Sequence, residues 1–215
     1  DAFGKNITEQ SQLKLSVDLE QSPAGEKYSL HADTLVGGVP ENILTLSASL
    51  PLGAQEYAGQ WSLKARTAQV EPFSFGGLLP DFKVNGDGRF GFNPGRAALS
   101  LQGELQGEVN RLEVLNASWR DLGAVSLVTK FDITGAGSVI RLNQLDVRLN
   151  GAQPILELQA KRAAQLNLKE QRLQVGPADA GDTLDLNIIG LPIAWFSPLV
   201  PQVKLTGGLI TGRLT

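Results

Sequence analysis

Apolar and polar residues alternate over much of this chain. In "LKLSVDLE" (13–20), Leu13, Leu15, Val17 and Leu19 fall on one side and Lys14, Ser16, Asp18 and Glu20 on the other. The pattern returns at Leu44, Leu46, Ala48 and Leu50, and at Leu99 and Leu101. It continues at Val125, Leu127, Thr129, Phe131 and Ile133, then at Leu145, Val147 and Leu149. Leu156, Leu158 and Ala160, followed by Leu184, Leu186 and Ile188, complete it. A period of two predicts strands that bury one face and leave the other wet. Runs of about eight residues would span roughly 27 Å. Roughly fifteen such strands, joined by hairpin-length turns, predict an all-β, mainly antiparallel fold with little helix.

Turn chemistry divides the strands. Asn150-Gly151 is a strong hairpin signal. "NGDG" (85–88), "NPG" (93–95) and "GPADAGD" (176–182) read as further turns. One longer phrase occurs twice. Aligning Pro80 with Pro201 matches residues 70–92 to 191–213, with six identities and four apolar pairs in 23 ungapped positions. Phe75/Phe196, Leu78/Leu199, Lys83/Lys204, Gly86/Gly207 and Gly91/Gly212 are among the identities. The spacing exceeds a solenoid rung, so each repeat unit would hold several strands. "VEPFSFGGLL" and "LPIAWFSPLV" lack alternation and predict short apolar helical turns, stopped by Pro80 and Pro201. The following glycines would let the next strand begin through a close approach or bulge. Trp195 and Phe196 would cap the end of a β core or meet a ligand or membrane surface.

Composition narrows the function. Lys plus Arg number 19 against 22 Asp plus Glu, a net charge of −3, so there is no basic excess for nucleic acid. The absence of Cys removes disulfides and thiolate metal sites. The uncharged run Leu186 to Val203 approaches membrane-spanning length. It is broken by Pro192, Pro198 and Pro201, and a buried crossover is expected instead. His31 is the single His and sits within a strand. Asp132, Asp146 and Glu157 fall on polar strand faces, without the facing arrangement that glycoside hydrolysis needs. Asp179, Asp182 and Asp185 lack the order of a calcium loop and read as a turn. "NGDGRFG" does not open a helix and carries no nucleotide signal. No enzyme, cofactor or metal is expected. The polar opening "DAFGKNITEQ" and the end at Thr215 within strand-like sequence read as a piece of a longer protein.

The phrases "LPIAWFSPLVPQVKLTGGLITGRLT" and "GRAALSLQGELQG", set among long amphipathic strands, resemble the AsmA-like family, with its TamB, YdbH and YhdP types. The resemblance extends over residues 60–215. It implies a curved, taco-like sheet of stacked units whose apolar side forms an open groove. It further implies a Gram-negative envelope protein anchored in the inner membrane, with this chain in the periplasm. Phospholipid or another acyl-chain lipid would pass along the groove between inner and outer membranes, with envelope proteins at either end as further partners. The lining would be the apolar-face positions named above, and the family brings no catalytic residues. The polar first ten residues and the long repeat spacing depart from its pattern. The alternative is a closed β-sandwich acting as a binding or adhesion module, because the same alternation would face a filled core.

Overall fold

The alternating segments all become strands, and all belong to one sheet. A computed structural model describes residues 13–74, 77–175, 183–193, 195–196, 202 and 207–215. The strands are β1 (Leu13–Ser22), β2 (Gly25–Val36), β3 (Val39–Pro51), β4 (Tyr57–Arg66) and β5 (Asp81–Asn93). They continue with β6 (Ala98–Asn110), β7 (Val125–Ala136), β8 (Val139–Asn150), β9 (Pro154–Ala160) and β10 (Ala164–Asn167). β11 (Arg172–Val175), β12 (Leu184–Pro192) and β13 (Leu209–Leu214) follow. Every ladder is antiparallel, in the order β1-β2-β3-β4-β5-β6-β7-β8-β9-β12-β13. β8 is shared: its second half pairs with β9 and its first half with β10, which pairs in turn with β11. The sheet is open and curved, and β1 and β13 lie at its two ends.

The longest strands run to 13 residues, about 44 Å, well beyond the eight or so that alternation marks. Register shifts between Ala32/Asp33 and between Asp132/Ile133 leave Ile43 and Asn143 as extra residues. Bulges of this kind add twist without ending a strand.

Two turn expectations met different outcomes. "NPG" forms a 3-10 turn, Pro94–Arg96, where the Asn93 side chain accepts from the Arg96 amide at 3.0 Å. "NGDG" is not a turn. It lies in the middle of β5, with Gly86 paired to Leu63 and Leu105 and Gly88 paired to Trp61 and Gly103. The reason is a close approach from above, described below. The Asn150-Gly151 hairpin forms between β8 and β9. The expected turn at 176–182 lies outside the described residues.

The connections differ at the two ends of the strands. At one end 23–24 between β1 and β2, 52–56 between β3 and β4, 94–97 between β5 and β6 and 137–138 between β7 and β8 are short, whereas residues 161–183 between β9 and β12 form a long connection that carries β10 and β11. At the other end the short turns 37–38 and 151–153 accompany three long connections. β4 leads to β5 through α1 (Thr67–Val70) and a 3-10 turn (Glu71–Phe73), as the first apolar phrase predicts. β6 leads to β7 through two 3-10 turns, Leu112–Val114 and Ala117–Leu122. β12 leads to β13 through residues that include Trp195 and Phe196.

The two copies of the repeated phrase therefore both cross at this end. Their aligned glycines differ in shape: Gly86 is in mid-strand, whereas Gly207 is left-handed at φ 59 in the turn before β13. Phe75, Leu199 and Lys204 of the alignment lie outside the described residues.

Candidate functional site

Residues directly opposite one another in an antiparallel ladder project from the same side of the sheet. Leu15 faces Ala32, which faces Leu44, which faces Leu63. Farther across the sheet, Leu105 faces Thr129, which faces Val147, then Leu158, Leu186 and Leu214. Adjacent rungs repeat the pattern. Val17 leads through Leu30 to Leu46 and Trp61. Leu101 pairs with Phe90 and Ile133, and Leu99 with Phe92. Leu127 leads to Leu149 and Leu156, and Phe131 faces Leu145. Leu13 faces Thr34, Val125 faces Val109, and Leu184 faces Ala160. The structure thus brings every groove position read from the alternation, from Leu13 on β1 to Leu186 on β12, onto one face.

The opposite face is polar. Ser16, His31, Thr45, Ser62 and Asp87 share one rung, which continues through Glu104, Lys130, Asp146, Gln159 and Asp185. Its charges pair across strands. The Lys130 ammonium lies 3.1 Å from the Glu104 carboxylate. Glu104 titrates below the usual carboxylate range, because the Gln106 amide donates to it and Lys130 sits beside it. Asp185 is also held low, first by the Arg213 guanidinium, which donates two hydrogen bonds at 2.9 and 2.8 Å. His31 is half-buried, its Nδ1 3.4 Å from the Thr45 hydroxyl. Asp132 accepts from Asn143, and Asp146 from Gln144. Among the described residues no group of three His, Asp or Glu side chains could hold a metal. Asp179 and Asp182 lie outside those residues.

The apolar face is only partly covered: Leu44, Leu46, Phe131, Val147 and Leu158 are half-buried, and the edge positions on β1 are exposed. Among described apolar residues only Ala32, Val125 and Ile155 are buried. Leu15, Val17 and Leu19 are each more than 60% exposed. The chain's accessible surface is 14250 Å², whereas a compact monomer of 22.9 kDa exposes about 9600 Å². Among the described residues the sheet is a single layer, with no second sheet packed upon it.

The floor of this face is aromatic, a feature that alternation does not reveal. Trp61, Gly88, Gly103 and Phe131 occupy one rung across four strands. The indole lies over the two glycines. A Cβ on Gly103 would sit 2.3 Å from the Trp61 ring, and one on Gly88 2.6 Å from its nitrogen. Trp61 Nε1 donates to the Gln102 carbonyl at 3.3 Å, and the Trp61 and Phe131 rings stack with centroids 6.1 Å apart. Phe90 covers Gly59 in the same way. The Gly residues of "NGDG" are therefore seats for an indole. A sequence signal exists, glycines at alternate positions of an amphipathic run, but it becomes readable only when the register brings Trp61 opposite them.

Nearer the tight-turn end, Tyr28 meets Tyr57 edge-on at 5.7 Å, and Tyr57 stacks on Phe92 at 6.5 Å. The Tyr28 hydroxyl donates to Glu26 at 2.6 Å, and that bond pushes its pKa up to about 12.

At the other end, α1 packs against β2, β4 and β5. Gln69 donates to Glu41 at 3.0 Å, and Glu41 faces Thr34 on the apolar side. Thr34 is 1% exposed and Gln69 5%. No described helix is long and apolar enough to cross a membrane. Neither a protein-family model, nor a curated protein, nor a solved structure matches this chain.

Proposed function

We propose that this chain is a non-enzymatic lipid-binding segment whose apolar sheet face holds the acyl chains of phospholipids. On this reading it belongs to an AsmA-like protein of the Gram-negative envelope, lies in the periplasm, and passes phospholipid between inner and outer membranes. The full-length protein is anchored in the inner membrane. The observation that carries the reading is one apolar face, continuous over eleven strands, with no second layer of described residues upon it. Exposed apolar patches on a soluble monomer rarely exceed a few hundred Å² unless something binds there. Acyl chains suit an apolar face that offers few polar groups, at about 0.8 kcal/mol for each CH2 buried.

Purified protein analysed by native mass spectrometry and solvent extraction is expected to carry phospholipid or the detergent that replaced it. Leu127→Asp and Leu158→Arg place charges on the open face and are expected to lower lipid recovery while the protein stays folded. Lipid-free protein whose charged variants all unfold would point to a filled core and defeat the reading.

A further inference from the structure

The two end strands of the sheet are unequal. β13 is six residues long, contains Gly212, and meets β12 through a register shift between Ile188 and Leu191. β1 is ten residues long, contains neither Pro nor Gly, and pairs with β2 without a shift. Among the described residues no second strand pairs with it. Natural edge strands are blunted by shortness, Pro, bulges, a covering element or charge. Of these devices β1 has only charge, in Lys14, Asp18 and Glu20.

The ladder fixes which backbone groups point outward from β1. The hairpin loop between β1 and β2 is two residues, 23–24, so the flanking pair Ser22–Gly25 is hydrogen-bonded. Bonded pairs alternate along an antiparallel ladder. Lys14, Ser16, Asp18 and Glu20 therefore bond to β2, and the amides and carbonyls of Leu13, Leu15, Val17, Leu19 and Gln21 face outward. The next ladder agrees. On this parity Gly25–Pro51 is a non-bonded pair, and Pro51 has no N–H to give.

This edge is complementary to itself. With a second β1 laid antiparallel about a two-fold axis at Val17, Leu15 meets Leu19 of the second copy and Leu13 meets its Gln21. Every one of these is an outward-bonding position, so about ten hydrogen bonds form across the junction. On the polar side Lys14 falls opposite Glu20 of the second copy, and Ser16 opposite its Asp18, each twice. These are the non-bonded pairs, with Cα atoms about 4.5 Å apart and side chains at their closest. Glu20 is free to turn this way, since its ion pair with Lys27 is long, at 3.8 Å, and largely exposed. On the other side Leu15, Val17 and Leu19, each more than 60% exposed, continue one apolar face across the junction. β13 offers no such match, because Arg213 is its one charged residue.

We infer that β1 is a self-association edge. Two copies of this chain join β1 to β1 about Val17, and the two sheets become one, with a common apolar side and a common polar side. A two-fold contact of this kind closes on itself and stops at the dimer. The inference does not depend on what the apolar face holds.

The chain contains no Cys, so an introduced thiol reports on one position. Sedimentation from micromolar to millimolar concentration is expected to show a species of 22.9 kDa giving way to one of twice that mass. A short bifunctional thiol reagent is expected to join two copies of a Val17→Cys protein and not of a Leu214→Cys protein. Val17→Pro removes only an outward N–H, which spares the β1–β2 ladder, and is expected to abolish the dimer. Lys14→Glu sets carboxylates face to face at both crossings and is expected to weaken the dimer about tenfold. Adding Glu20→Lys to that variant restores opposite charges and is expected to recover the dimer. If Val17→Pro does not fold, the charge reversal and its rescue carry the test. A chain that stays at 22.9 kDa throughout would overturn the inference. So would joining through Leu214→Cys in place of Val17→Cys, which would move the contact to β13. A dimer indifferent to both Val17→Pro and the charge reversal would mean apolar faces stacked on each other, and would overturn it as well.

Discussion

β1 and β7 carry the same alternation and meet different surroundings. On β1, Leu13, Leu15, Val17 and Leu19 are 41 to 68% exposed. On β7, Val125 is buried, Phe131 is half-buried against Trp61, and Leu127 alone is more exposed, at 39%. Among the described residues β1 pairs with one strand, β2, and packs against no helix or 3-10 turn. β7 has two neighbours, lies across from an indole, and begins at the foot of the 3-10 turns. Alternation therefore sets which side of the sheet a residue takes. How far that residue leaves water depends on neighbours that the strand itself does not contain.

The sharpest test of this comparison places the same charge at both sites. Val125→Asp puts a carboxylate where water does not reach and is expected to cost about 3 kcal/mol or more. Leu15→Asp on the exposed edge is expected to change stability by no more than about 0.5 kcal/mol. Urea denaturation of both variants measures the gap. Equal costs would show that β1 is covered as fully as β7.

A second pair uses glycine at a covered and an uncovered point of the same face. A Cβ at Gly88 would meet the Gln102 carbonyl at 2.0 Å and the Gly103 Cα at 2.7 Å, both backbone atoms that cannot swing aside. Gly88→Ala is expected to destabilise by about 1–3 kcal/mol and to shift Trp61 emission to the red as the indole is lifted. Gly212, on the same face of β13, has nothing within 4 Å of a new Cβ. Gly212→Ala is expected to be neutral or to stabilise by about 0.5 kcal/mol, through lower chain entropy in the unfolded state. Opposite signs for the two changes, read from denaturation midpoints, are the outcome to look for.

The smallest effect is electrostatic and belongs to the second edge. Asp185 on β12 is held below the ordinary carboxylate range by Arg213 on β13. A carboxyl depressed in the folded state contributes stability above its unfolded pKa, about 3.9, and loses that contribution as pH falls through the folded value. Hydrogen exchange should therefore show β13 amides losing protection on acidification before those of β5 to β7. Arg213→Gln should flatten that pH dependence. An unchanged profile would mean that β13 is held by its ladder alone.

Much of the fold was legible in the chain because a strand with one wet face must alternate. Leu13–Leu19, Val125–Ile133 and Leu156–Ala160 needed nothing but their own order. The apolar phrase before Pro80 was also readable as a helical turn, because it lacks alternation and carries its own stop. The glycines of "NGDG" misled. Turn propensity and close approach favour the same residue, and only Trp61, some 25 residues away in sequence, decides between them. The aromatic floor and the tyrosine pair were hidden for the same reason, since each is assembled by register across several strands.

By itself, then, the sequence determined the class of element, the antiparallel pairing and the side on which each Leu and Val falls. These follow from a period of two and from short turns, which are properties of neighbouring residues. The tertiary structure alone decided that the sheet stays open between β1 and β13, that α1 comes to rest against β2, β4 and β5, and that Trp61 lies on Gly88 and Gly103. Each of those depends on which distant strand arrives alongside and on where a long connection comes to rest, and a local pattern carries no information about either.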